Sequence, residues 1–304
     1  MNKKIIYSLP LILLVISIIV ISFGYKNVQK SSSKIKVIAT TTQMFDITSN
    51  IGGDRIELTG ILGPNVDPHE YEATTQDAKM LNDAKLIVEN GVGLERSIDK
   101  IVKESGSHSQ IYIASSDVEI LKGGPNDPDG DPHLWFSVPN VKKITNGVYD
   151  NLAKIDSANK DYYLNHKNKY LASLNELDSY IRGKINGVNP MDRKMVTNHD
   201  AFGYFAQEYG LNVIGSVIPN ISTESQPSAK ETTDLINKIH DQKVKAIFTE
   251  KSINPKLIDE IAKSAGIKIV PSLYGDTLGE TTSTGGTYIS MMKYNTDTIV
   301  ENIK

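Results

Sequence analysis

The 304-residue sequence contains no cysteine. That excludes disulfides, thiolate metal sites and cysteine nucleophiles together, and leaves histidine, carboxylate, carbonyl or water as donors for any metal ion. There is no excess of basic charge either: 33 Lys and Arg stand against 36 Asp and Glu, a formal net charge of −3. Phosphate binding needs a concentrated cationic face, and no basic run occurs in the body of the chain, so a nucleic-acid partner is excluded. The acidic residues form no long tail. Enzyme signatures are missing as well. The chain has no Gly-x-Ser-x-Gly elbow, no Gly-rich phosphate cradle and no His-Glu-x-x-His helix. Gly91–Val92–Gly93 is too little for a nucleotide loop and reads as a turn that opens a helix.

What is present begins at the N-terminus. Lys3 and Lys4 precede an apolar stretch from Ile5 to Phe23, interrupted by Tyr7, Ser8 and Pro10. A short basic region before an apolar core is the layout of a secretory signal. The stretch is also close to the ~20 residues that span a bilayer, so it serves equally as an uncleaved anchor. Residues 1–24 are therefore expected to be a signal peptide or membrane anchor, and 25–33 a spacer. The product is expected outside the cytoplasm, tethered to the cell membrane or secreted. The remainder, from a chain 39% hydrophobic and 23% charged, has the composition of an ordinary globular protein and the length of two domains.

Folded structure is expected from Lys34. Strand candidates at Ile35–Thr40, Arg55–Leu62, Leu86–Asn90 and Gln110–Ala114 alternate with helix candidates at Met44–Ile51, Asp77–Asp83 and Leu94–Glu104. From Val141 to about Lys184 no strand interrupts, and Tyr163, Lys167, Tyr170, Leu174, Leu177 and Ile181 recur at helical spacing. Alternation then resumes, with strands at Lys194–Thr197, Val213–Val217, Lys245–Thr249 and Ile267–Val270. The helices between and after them are Ala201–Tyr209, Ala229–Lys238, Lys256–Ser264 and Tyr288–Ile303. Gly266 is placed to cap the third of these. The predicted fold class is α/β: two α/β lobes with mainly parallel sheets, joined by one long backbone helix. The boundaries are 34–155 for the N-terminal lobe, 156–187 for the linking helix and 188–304 for the C-terminal lobe.

Three of the six histidines stand in unusual surroundings. Asp67–Pro68–His69 and Asp131–Pro132–His133 repeat one tripeptide. Proline fixes its own φ and restricts the residue before it, so each histidine sits on a stiff turn that orders an imidazole cheaply. An Asp folded back on such a turn can hydrogen-bond the far ring nitrogen and set the tautomer. His199 directly follows a strand, and Asp276 lies on the loop beyond the last strand. Each alone has a commonplace reading as a surface histidine or a turn aspartate. Together they occupy loops beyond strands, two in each lobe, where open α/β sheets place ligands. His108, His166 and His240 lie in polar or charged stretches and are expected to be solvated. Three imidazoles and a carboxylate can close a tetrahedral metal site, leaving no position for the water that a catalytic zinc keeps.

Five ordered segments carry a resemblance. They are Gly63–Pro64–Asn65–Val66–Asp67–Pro68–His69–Glu70–Tyr71–Glu72, Asp131–Pro132–His133–Leu134–Trp135, Thr197–Asn198–His199–Asp200–Ala201–Phe202–Gly203–Tyr204–Phe205, Ala246–Ile247–Phe248–Thr249–Glu250–Lys251–Ser252 and Pro271–Ser272–Leu273–Tyr274–Gly275–Asp276–Thr277–Leu278–Gly279. With them the chain resembles the solute-binding proteins of bacterial zinc/manganese ABC importers (the bacterial solute-binding protein 9 family) from about Lys36 onward. The resemblance implies a metal in the cleft between the lobes, with ligands at His69, His133, His199 and Asp276 and with Glu250 close behind them. Asp67 and Asp131 are further candidates for supporting roles. It also implies an ABC permease and its ATPase subunit as partners, and a monomer that delivers Zn²⁺, or alternatively Mn²⁺, without being an enzyme. The lobes would draw together on the ion and be separated by the permease.

Two departures matter. Gram-positive members carry a lipobox cysteine, which is missing here, so a tether would use the N-terminal segment. Zinc-specific members often carry a His-rich loop before the second histidine, and residues 117–131 contain no histidine. Manganese-dedicated members tend to have Glu where this chain has His199, and the nitrogen-rich set favours Zn²⁺. The other readings are a metal-dependent hydrolase with Glu70 as base, and a surface adhesin.

Overall fold

The computed structural model describes residues 34–104, 108–123, 128–220, 223, 226–250 and 255–304. The segments expected to direct export and act as spacer lie outside the described residues, among which no helix is long and apolar enough to cross a membrane.

Four strands of the first lobe pair in parallel: β1 (Ile35–Ala39), β2 (Ile56–Gly60), β3 (Leu86–Glu89) and β4 (Gln110–Ile113), in the order β2-β1-β3-β4. β3 is buried at every residue, as a parallel strand covered on both faces must be. The second lobe repeats the arrangement with β5 (Lys194–Thr197), β6 (Asn212–Ser216), β7 (Ala246–Glu250) and β8 (Lys268–Leu273), parallel and ordered β6-β5-β7-β8. The helices of the first lobe are α1 (Thr42–Gly52), α2 (Thr75–Asp83), α3 (Arg96–Glu104) and α4 (Val138–Ile155). After α5 (Lys160–Asn186) come α6 (Gly203–Tyr209), α7 (Ala229–Gln242), α8 (Pro255–Ala265) and α9 (Tyr288–Ile303). The chain thus has the α/β architecture of two parallel-sheet lobes and a long helix.

Local chemistry explains the boundaries. Thr74 and Asp77 form a reciprocal capping box at the start of α2, and Ser228 and Glu231 do the same for α7. Gly266, at φ 66°, supplies the left-handed residue that ends α8, as expected. The strand-free stretch from Val141 to about Lys184 folds as two helices. α4 stops at Ile155 because Asp156 leaves the helical region and its carboxylate accepts from Asn159 Nδ2 at 2.8 Å and from the Tyr163 hydroxyl at 2.6 Å. Asp156 thereby pins the start of α5. With 27 residues, α5 is about 40 Å long at 1.5 Å per residue.

α5 buries Tyr163, Tyr170, Leu174, Leu177, Ile181 and Ile185 along one face. These residues belong to a core that runs through both lobes, uniting Val37, Met44 and Trp135 with Phe202, Phe248, Leu273 and Tyr288. Smaller cores lie on the far face of each sheet: Ile38, Leu81 and Ile87 in the first lobe, Val196, Leu235 and Ile247 in the second. Residues 35–304 form a single compact unit. The lobes share their main core, so parting them is costlier than opening a hinge between independent domains.

Parallel pairing puts the carboxyl ends of all four strands of a sheet on one edge. The loops that follow β2, β4, β5 and β8 leave from those edges, and they carry His69, His133, His199 and Asp276 in turn.

Candidate metal centre

The two Asp-Pro-His turns fold alike at the backbone. In each, the Asp Oδ1 accepts the histidine N–H at 2.9 Å, closing a local turn around the proline. Beyond that they differ. Asp131 Oδ1 also reaches His133 Nδ1 at 2.7 Å, the ring contact anticipated from the sequence. Asp67 makes no such bond to His69; its Oδ2 accepts from the Thr223 hydroxyl at 2.7 Å, tying the first-lobe loop to the second lobe. The His133 turn is further fixed by Asn90 Nδ2, which donates to Pro132 O at 2.8 Å, and by the Tyr204 hydroxyl, which donates to Asp131 O at 3.0 Å.

His199 leaves β5 fully buried, with Nδ1 2.9 Å from Glu250 Oε1 at the end of β7. Glu250 lies two residues beyond Phe248, a member of the shared core, so strand alternation turns it to the same inner face. Gly275 makes room for it. A Cβ at that position would lie 1.7 Å from Glu250 Oε2, so no other residue fits without moving the carboxylate.

These contacts decide the chemistry. With Nδ1 of His133 and His199 facing the Asp131 and Glu250 carboxylates as donor, Nε2 is the atom left to face the centre, for a metal ion or, without one, a second proton. Both Nε2 atoms point to a common centre, 3.3 Å from each other. Asp276 Oδ1 is 3.2 Å from His133 Nε2, and Oδ2 is 3.4 Å from His199 Nε2 and 3.8 Å from His69 Nε2. Ligand atoms of all four residues lie within 4.8 Å of one another, and the side chains are almost wholly buried. His69 Nε2 and both Asp276 oxygens have no hydrogen-bond partner. Buried acceptors gathered around one point are unfavourable unless a cation or protons lie between them.

The ionisation behaviour follows. Burial works against the charge on His133, but the Asp131 and Asp276 carboxylates outweigh it and raise the ring to about 9. His199 is likewise opposed by burial and lifted well above the ordinary histidine range by Glu250 and Asp276. His69 has no such neighbour behind it, and burial lowers it to about 3 despite Asp276. Burial opposes the charge on Asp276 too, yet His199 and His133 hold it well below the usual carboxylate range. Without a metal, protons on His133 and His199 fill the role of the cation.

A bound ion fits these residues. Zinc bonds of about 2.0–2.1 Å in a tetrahedron imply ligand–ligand edges of about 3.3–3.4 Å. The His133–His199 separation of 3.3 Å and the Asp276 Oδ2–His199 separation of 3.4 Å match that edge, whereas His69 Nε2 stands outside it, 3.8 Å from Oδ2. Other residues named from the sequence fall elsewhere. Glu70 is exposed and outside the group. His108 and His240 are exposed, but His166 is half-buried, stacked on Tyr162 at 4.2 Å with Nδ1 3.2 Å from Asn50 O. The sequence reading missed Asn90, Gln43, Thr42 and Tyr204, whose partners are remote in the chain and carry no local signal. Trp135, two residues from His133, was visible but its role was not: its ring lies edge-on to His133 at 5.3 Å.

Comparison with known proteins gives the chain its family. Residues 37–302 match the family described as zinc-uptake complex component A, periplasmic. The chain is 32% identical over 303 residues to the metal ABC transporter substrate-binding lipoprotein SsaB of Streptococcus sanguinis, covering 97% of each. It is 30% identical to the manganese-binding lipoprotein MntA of Bacillus subtilis, covering 91% of this chain and 92% of that one. Among solved structures it superposes on the periplasmic zinc-binding protein TroA of Treponema pallidum with a TM-score of 0.84 and 31% identity, over 89% of this chain and 99% of TroA. These are binding proteins rather than enzymes. The chain belongs to the zinc-uptake component A family, the substrate-binding proteins of metal ABC transporters.

Proposed function

We propose that His69, His133, His199 and Asp276 together hold one Zn²⁺ as cargo, captured outside the cytoplasm for an ABC permease and its ATPase. The observation that carries this reading is the convergence of three imidazoles and a carboxylate on one buried point, with His69 Nε2 and both Asp276 oxygens lacking any other partner. Zinc is favoured by the nitrogen-rich donor set and by edges of tetrahedral length. Asp131 and Glu250 act behind His133 and His199, fixing their tautomers and raising their basicity. Asp67 supports His69 through the backbone and anchors its loop to Thr223.

Manganese is the second reading. Relatives such as MntA bear manganese names, and both Asp276 oxygens face the centre, so a bidentate carboxylate would raise the coordination number. The site is complete within one chain and needs no second copy. With no cysteine to carry lipid, a tether would be residues 1–24 themselves.

The deciding experiment is metal content and competition on protein loaded with equal Zn²⁺ and Mn²⁺. One tightly held Zn²⁺ per chain is expected. Retained Mn²⁺ would transfer the same residues to manganese uptake, and no retained metal would end the reading.

A further inference from the structure

The Asp276 loop leaves β8 in the second lobe, yet much of its main chain is held by the first. Gln43, fully buried in the first turn of α1, donates from Nε2 to Asp276 O at 2.9 Å. Its neighbour Thr42 accepts the Leu278 N–H at 2.8 Å, and the Thr42 hydroxyl donates to Gln43 Oε1 at 3.1 Å. The three bonds form one bracket with a consistent sense, from the Leu278 amide through Thr42 and Gln43 to the Asp276 carbonyl. On either side, Trp135 Nε1 donates to Gly275 O and the Asn65 N–H donates to Thr277 Oγ1, both at 3.2 Å. The second lobe grips the loop through Asn295 of α9, which brackets the Tyr274 backbone at 3.0 and 2.7 Å.

Apart from the ring nitrogens of the site itself, His133 Nε2 at 3.2 Å and His199 Nε2 at 3.4 Å, the Asp276 carboxylate has no hydrogen-bond partner. Its position is therefore set by where its main chain is pinned, and the residues that pin it at Asp276 and Leu278 are Gln43 and Thr42. His199, by contrast, rests on Glu250 within the second lobe. By chain position the four residues divide two and two; by what holds them they divide three and one.

We propose that Gln43, assisted by Thr42, is a positioning residue for Asp276, and makes that second-lobe carboxylate a mechanical part of the first lobe. The first lobe then presents a preassembled set of His69, His133 and Asp276, and the His199–Glu250 pair completes or opens the site. This rests on the reading of the four residues as one metal site.

The test is Zn²⁺ affinity and dissociation rate, followed by chelator competition, with thermal unfolding of the metal-free proteins alongside. Gln43→Ala and Thr42→Ala are each expected to weaken binding by about 10-fold through faster release. Thr42→Ser, which keeps the hydroxyl, is expected to behave as wild type. A double-mutant cycle identifies the route: the Gln43→Ala loss should persist in a His199→Ala background and vanish in an Asp276→Ala background. A purely structural role would lower the metal-free unfolding temperature and leave the cycle additive in both backgrounds. Wild-type Zn²⁺ binding with no effect of Gln43→Ala, or an equal loss without Asp276, overturns the proposal alone. Absence of Zn²⁺ binding by the wild type overturns the metal reading and this proposal with it.

Discussion

At the scale of single residues, the groups behind the donors are as exacting as the donors. Glu250→Ala removes the acceptor that orients His199 and is expected to lower Zn²⁺ affinity by about 10–100-fold, read by chelator competition. Gly275→Ala should do comparable harm from the other side, because its Cβ would occupy the space of Glu250 Oε2. An equal affinity in Gly275→Ala would show that Glu250 can move without consequence. Away from the site, Glu89 is buried with Oε1 unpartnered, and burial raises its carboxyl to about 8. A raised carboxylate favours the protonated folded form, so its contribution is greatest at low pH and is lost as pH rises from about 4.5 toward 8. Glu89→Gln is therefore expected to raise the unfolding temperature at pH 8 and to change it little at pH 5. The candidate donors stand out in the sequence because proline turns and strand ends announce themselves locally. Gln43 does not, because its partner Asp276 lies 233 positions away and nothing in Thr-Thr-Gln predicts it.

Among the elements, α5 bears the greatest mechanical load. Leu174 is fully buried midway along it, in the core common to both lobes. Leu174→Ala is expected to cost about 2–5 kcal/mol, measured by denaturant unfolding, while metal affinity of the folded fraction stays unchanged. Loss of affinity in protein that remains folded would mean that the helix transmits strain to the site. The strands and helices were readable because apolar runs and 3.6-residue spacing are local signals, and α9 matched its expected bounds throughout, Tyr288–Ile303. The reason for the break between α4 and α5 was not. It lies in side-chain bonds from Asp156 to Asn159 and Tyr163, which compete with the helix without disturbing its apolar period.

For the molecule as a whole, the shared core predicts small movements. Scattering from metal-free and Zn²⁺-loaded protein should give radii of gyration near 18 Å for the folded part, differing by less than about 1 Å. A difference of several ångströms would favour a wide closure of the lobes on the ion, beyond what their shared core allows. Proton linkage acts at the same scale. Neutral imidazoles are needed to hold the ion, and His133 is raised to about 9 without one, so binding must expel protons. Affinity should be higher at pH 7.5 than at pH 5.5, and calorimetry in buffers of different ionisation enthalpy should register proton release. Equal affinity at the two values would speak against histidine ligation.

Trp135 is the sole tryptophan of the sequence, and it touches His133 with its ring edge and the Asp276 loop with its indole N–H. Selective excitation of that indole makes the protein its own optical gauge. Arrival of an ion at His133 alters the field across the fluorophore, and loosening of Gly275 alters its hydrogen bond, so the two events are separable by intensity and by emission wavelength. The total lack of cysteine completes the instrument: a single introduced thiol on the second lobe would accept a dye uniquely, converting the same indole into the donor of a distance measurement across the cleft.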